Sequence, residues 1–185
     1  MRAGFVTLAL VGAVLSGCVT AAPPAPAFHA MLNQPYKLDA GDRLRVTVFE
    51  QDNLSGTYAV DKSGYLSLPL VGAVPARGKT TQEIEAAVTA ALRNGYLRSP
   101  DVSVQVEQYR PFFIMGEVSS GGQYSYVPGM TAQNAIAIAG GFSSRADQRT
   151  VDITRQVNGQ VITGRVLISD PVLPGDTISV RERLF

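Results

Sequence analysis

The sequence predicts an α+β fold, on three observations. Apolar and polar residues alternate in several short blocks, the signature of half-buried strands. One longer segment carries helical periodicity behind a capping signal. Eighteen glycines and eleven prolines in 185 residues supply turns often enough to keep the strands short.

The chain begins with Arg2, an apolar run from Phe5 to Leu15, and Leu15-Ser16-Gly17-Cys18, which holds the only cysteine. At about 1.5 Å per residue the run reaches roughly 17 Å, short of a ~30 Å hydrocarbon core. Residues 1–17 therefore read as a signal peptide rather than a spanning helix. The stretch resembles the bacterial lipoprotein box, whose cysteine is alkylated by diacylglycerol and becomes the mature N-terminus. A lone cysteine has no internal partner for a disulfide, which fits lipidation at Cys18. The plainer alternative is an ordinary signal with an incidental thiol. Residues 18–35 are Ala/Pro-rich, as in Ala21-Ala22-Pro23-Pro24-Ala25-Pro26, and form a semi-extended tether. His29, the only histidine, falls in it and reads as solvated linker.

The folded part opens at Tyr36. Ala40-Gly41-Asp42 is a turn, and Leu44, Val46 and Val48 alternate with polar residues as a strand. Thr57–Val60 and Tyr65–Leu68 read as a hairpin around Asp61-Lys62-Ser63-Gly64. Pro69 and Gly72 break the next run, and Gly78 closes it. Thr80-Thr81-Gln82-Glu83 matches a capping box. Ile84, Ala87, Val88, Ala91 and Leu92 then place an amphipathic helix at about 81–94, ended by Asn94-Gly95, with alanines that let it sit close on the sheet. Val102, Val104 and Val106 return as a strand.

A second unit starts at Phe112–Val118. Gly121-Gly122 turns the chain, Gln123 to Val127 is a strand, and Thr131 caps a short helix through Ala139 that Gly140-Gly141 ends. Ser143 to Gln148 is a polar loop. Thr150–Thr154 and Gln160–Ile168 are strands joined at Asn158-Gly159, a strong hairpin signal. The chain closes on Pro174-Gly175-Asp176-Thr177-Ile178-Ser179-Val180. That stretch echoes Gly41-Asp42-Arg43-Leu44-Arg45-Val46, so each Gly-Asp turn aims a strand into a sheet and the end of the chain is expected beside its beginning.

Five stretches in this order resemble the outer-membrane polysaccharide export (OPX) family. They are Leu38–Val46; Val60–Gly72 followed by Gly78–Glu83; Ser99–Val104; Met115–Val118; and Asn134–Phe142. The resemblance implies a polysaccharide export domain at 36–109, a small β-sheet domain with one amphipathic helix. A β-grasp-like SLBB (soluble-ligand-binding β-grasp) domain with a C-terminal return strand would follow at 110–185. It also implies a ring-like homo-oligomer that gives a capsular or exopolysaccharide passage to the cell surface. An inner-membrane co-polymerase of the tyrosine-kinase type would be its partner. Val19 is not an aspartate, so the retention signal of enteric inner-membrane lipoproteins is missing, which favours the periplasmic face of the outer membrane. The best-known members carry further SLBB-like repeats and a membrane-crossing C-terminal helix. Here one SLBB unit fits, so the expectation is a conduit or adaptor that hands its polymer to a separate outer-membrane β-barrel.

The residue inventory excludes several other classes. A net charge of +1 without any basic run argues against nucleic acid. No Cys or His set has metal-ligand spacing, no cofactor is expected, and the glycines lack the Gly-Lys-Ser/Thr of a phosphate loop. Asp39, Asp42, Glu50, Asp52 and Asp61 lie close in sequence, as paired glycosidase carboxylates would, but sit where Asp satisfies turn donors. The chain therefore reads as no enzyme. A hydrophilic conduit needs a polar, weakly binding wall. Its candidate lumen or glycan contacts are Lys62, Tyr65, Tyr124, Arg145 and Arg149. The alternative from another class is a monomeric periplasmic glycan- or peptidoglycan-binding lipoprotein.

Overall fold

The strand β1 (Arg43–Val48) buries Leu44, Val46 and Val48 and exposes the residues between them, as its alternation dictates. The structure is a computed structural model and describes residues 34–157 and 159–183. The signal peptide, Cys18, His29 and the tether up to residue 33 lie outside the described residues, as do Asn158, Leu184 and Phe185. Along the chain follow β2 (Gly56–Ala59), β3 (Tyr65–Leu68), β4 (Gly72–Pro75), α1 (Thr81–Arg93) and β5 (Val102–Gln108). The second half holds β6 (Phe112–Gly116), β7 (Gly122–Tyr124), α2 (Ala132–Ile138), β8 (Thr150–Val157), β9 (Gln160–Leu167) and β10 (Thr177–Val180). The fold is α+β.

In the first module β1 is the centre of a three-stranded antiparallel sheet ordered β2-β1-β5, while β3 and β4 pair separately. The expected hairpin of Thr57–Val60 with Tyr65–Leu68 is corrected here. Its turn forms, with the Asp61 Oδ1 accepting from the Tyr65 N–H at 2.9 Å. The strands on either side then take other partners, β2 joining β1 and β3 joining β4, and only the bridge Val60–Leu66 connects them. Local turn chemistry was right; the non-local β1 edge won the pairing.

Helix α1 starts at a complete capping box. The Glu83 N–H donates to Thr80 Oγ1 at 3.2 Å, and the Thr80 N–H to Glu83 Oε2 at 2.8 Å. Ile84, Val88 and Leu92 form its buried stripe over β5 and β4. Ala87 is exposed, so the stripe is narrower than the sequence suggests and close alanine contact is not what seats the helix. Thr80→Ala removes one bond of the box and is expected to cost about 1 kcal/mol. Urea titration followed by far-UV circular dichroism should show a lower midpoint with an unchanged slope.

The second module is a five-stranded sheet ordered β7-β6-β10-β8-β9, with α2 buried on one face through Ala132, Ala135 and Ile136. Its core gathers Phe112, Ile114, Val151, Ile153 and Ile178, while Leu44, Leu66, Ile84 and Val88 belong to the separate core of the first module. Strand β10 enters the middle of the sheet, parallel to β6 and antiparallel to β8. Strand β10 therefore does not pair with β1, although the Gly175-Asp176 turn that launches it lies against Arg110, which is bonded to Asp42 at the start of β1. The strand expected at Gln123–Val127 ends at Tyr124, because its partner β6 begins at Phe112, just after Pro111, which has no N–H to continue a ladder.

Candidate functional site

The two Gly-Asp turns, set in different sheets, have the same internal construction. Asp42 and Asp176 are both fully buried. Each carboxylate accepts the N–H three residues back, Asp39 at 2.9 Å and Leu173 at 2.7 Å. Each aspartate N–H returns to that residue's carbonyl at 3.2 Å. Burying a carboxylate this deeply demands a charged partner. Asp176 takes Arg155 in a two-point clasp, Nε at 2.8 Å and Nη2 at 2.7 Å. Asp42 accepts the Arg110 backbone N–H at 2.8 Å, with Arg110 Nη1 at 3.5 Å from its other oxygen.

Arg110 ties the turns together. A Cβ added to Gly175 would stand 2.5 Å from Arg110 Nε, so the missing side chain is what admits the guanidinium. The Gly175 N–H donates to the Pro111 carbonyl at 3.1 Å. The segment crossing from one module to the next is thus pinned to a turn in each.

Around this joint lies a cleft of about 960 Å³, in the size range of small-molecule sites. Three tyrosines line it in an edge-to-face ladder, Tyr36 to Tyr109 at 5.0 Å and Tyr109 to Tyr126 at 5.4 Å between ring centroids. The Tyr36 hydroxyl donates to Asp42 at 2.7 Å and accepts from Arg110 Nη1 at 2.9 Å. Burial, opposed by Arg110 and reinforced by Asp42, pushes the Tyr36 phenol far above its ordinary value. Burial likewise raises Tyr109 and Tyr126. All three rings stay protonated at working pH, each with an apolar body and a polar tip. The cations lining the cleft are Lys37, Arg77, Arg110 and Arg155.

At the cleft wall Arg77 Nε donates to Asp39 Oδ1 at 2.9 Å. Burial acts to raise the Asp39 carboxyl, but the Ala40 N–H and Arg77 outweigh it and hold the group below its ordinary 3.8. A carboxyl depressed in the folded state contributes stability above the unfolded value and loses it as pH falls through the folded one. Both partners are about a third or more exposed, so the contribution is below about 1 kcal/mol. Asp39→Asn should be slightly less stable than the parent at neutral pH. The gap should close below about pH 4, as measured by thermal melts across pH.

None of the five residues chosen from the sequence lines this cleft. Lys62 and Tyr65 are exposed on the β2–β3 turn and on β3. Tyr124 stacks on Phe112 at 6.0 Å and donates to the Ser120 carbonyl at 2.6 Å. Arg145 pairs with Glu117 at 3.2 Å and Glu182 at 3.4 Å, and Arg149 is exposed in the loop before β8. Lys62 with Tyr65, and Arg145 with Arg149, stay local neighbours in separate modules. Sequence reasoning missed Tyr36, Tyr109, Tyr126, Arg77 and Arg110. The available signal was Tyr109-Arg110-Pro111, an aromatic-cation pair between two alternating blocks. Among the described residues no three His, Cys, Asp or Glu side chains group as metal ligands would, and no helix is long and apolar enough to cross a membrane.

Two α+β modules thus stand in series, each built on a buried Gly-Asp turn and joined at Arg110. Residues 30–107 match the family described as polysaccharide biosynthesis/export protein, and residues 111–165 match the SLBB domain. The chain belongs to the polysaccharide export (OPX) family and carries one SLBB domain. It is 40% identical over 124 residues to the exopolysaccharide production protein ExoF of Rhizobium meliloti (strain 1021), covering 60% of this chain and 29% of that protein. It is 29% identical over 111 residues to the polysialic acid transport protein KpsD of Escherichia coli, covering 59% of this chain and 20% of that one. The chain thus spans less than a third of the length of these relatives.

Proposed function

We propose that this protein is a non-catalytic component of polysaccharide export. It is anchored through Cys18 at the periplasmic face of the outer membrane, where copies of it form a conduit or adaptor for a capsular or exopolysaccharide. The observation that carries the reading is the pair of family matches in series, with relatives named for exopolysaccharide production and polysialic acid transport. The Arg110 joint supports it, because it bonds the crossing segment to a turn in each module, and a ring of head-to-tail copies closes only if each copy presents its two modules at a fixed angle. An inner-membrane co-polymerase would deliver the polymer, and a separate outer-membrane β-barrel would receive it.

Deletion of the gene tests this reading. Surface staining should be lost and polymer should collect in the periplasm; unchanged surface polymer would refute it. Cys18→Ser should leave the precursor uncut and unattached to membrane. Size measurement of detergent-extracted protein separates a ring from the monomeric glycan-binding alternative, which the tyrosine-lined cleft within a single copy favours.

A further inference from the structure

We infer that the cleft between the modules is a binding site for an acidic saccharide, one sugar ring bearing a single carboxylate. The inference rests on the export reading and names the class of glycan it would handle.

Charge pairing at the cleft is the first argument. Arg77 is matched with Asp39, Arg110 with Asp42 and Arg155 with Asp176. Lys37 lines the same cleft, is exposed, and has no ion pair among the described residues. One positive charge is therefore left over, the complement of one carboxylate. The arginines beside it are already fixed by their aspartates, so a ligand meets donors whose ordering cost was met on folding. Arg77 is held through Nε to Asp39 and Nη2 to the Lys62 carbonyl at 2.7 Å, bonds that do not engage Nη1.

Shape is the second. The ladder of Tyr36, Tyr109 and Tyr126 gives an apolar wall with polar tips, suited to a ring with one apolar face and several hydroxyls. A volume of about 960 Å³ leaves room for more than one sugar unit. The site is open to solvent along one side, so binding is weak, as a moving polymer requires.

The test uses the full chain and aldotriouronic acid, a trisaccharide with one carboxylate, against its methyl ester, which keeps the shape and loses the charge. Three of the seven tyrosines line the cleft and there is no tryptophan, so a change in tyrosine emission is checked by calorimetry at low ionic strength, which reads the affinity itself. The acid should bind, and the ester should bind three- to tenfold more weakly. Lys37→Gln should weaken the acid by the same factor and leave the ester unchanged, and Lys37→Glu should weaken the acid further. Because Lys37 makes no ion pair within the described residues, these variants should keep the parent's melting temperature. Lys62→Gln, an exposed lysine outside the cleft, should leave binding unaltered. Equal binding of acid and ester, binding of neither, or an equal loss with Lys62→Gln would each overturn the inference. If gene deletion still strands polymer while Lys37→Gln binds as the parent does, the site assignment falls and the export reading stands.

Discussion

Asp176→Ala is expected to destabilise the protein by about 3–5 kcal/mol, the cost of removing one partner from a buried ion pair. The pair is clasped at two points and almost wholly out of water, with Arg155 5% and Asp176 0% exposed. The same substitution deprives the Leu173 N–H of its acceptor and so loosens the turn that launches β10. Because β10 lies between β6 and β8, loosening its start removes support from both neighbours. For a domain of this size the melting temperature should fall by on the order of 10 °C. Asp176→Asn keeps the side-chain shape but not the charge, and should cost nearly as much. If both variants melt within about 1 °C of the parent, the clasp contributes nothing net. A double-mutant cycle with Arg155→Met then apportions the coupling, which should exceed about 1 kcal/mol.

The clasp also marks the limit of what could be read in advance. The echo of Gly41-Asp42 and Gly175-Asp176 was visible in the residues, and so was its meaning as a pair of turns that aim strands. Burial of both aspartates was not visible, because their partners stand far off in sequence: Arg110 is 68 residues from Asp42 and Arg155 21 from Asp176. Local signals fared well. Thr80 and Thr131 cap the helices the sequence assigned to them, and the alternation at Leu44, Val46 and Val48 gave the buried face of β1. Pairing fared worse wherever a distant strand competed with a nearby one. The Asp61–Gly64 turn closes as expected while β2 and β3 join different sheets. The cleft was hidden in the sequence for the same reason. Lys62, Tyr65, Tyr124, Arg145 and Arg149 stand on loops and strands conspicuous in a linear reading. The cleft draws Tyr36, Arg77 and Tyr109 from separate stretches of the first module and Tyr126 from the second, positions far apart in the sequence.

Gly116→Ala is expected to be strongly destabilising. Gly116 sits at the end of β6 with φ +89°, and a Cβ there would lie 2.1 Å from the Val180 carbonyl oxygen and 3.0 Å from its carbon. The left-handed conformation alone costs an alanine about 1–2 kcal/mol. The clash adds more, because its target is backbone and cannot turn aside as a side-chain tip would. That same Val180 oxygen accepts the Glu117 N–H at 2.9 Å, so relief by moving β10 breaks the parallel β6–β10 contact as well. A total of roughly 4 kcal/mol or more follows, in the range reserved for strain combined with lost core pairing. Gly129→Ala separates the two contributions. Its φ is +81°, yet nothing lies within 4 Å of its added Cβ, so only the conformational cost applies. Chemical denaturation should place Gly129→Ala about 1–2 kcal/mol below the parent and Gly116→Ala well below that. Equal losses at the two sites would mean that β10 does not press on Gly116, and that the centre of the second sheet is arranged otherwise.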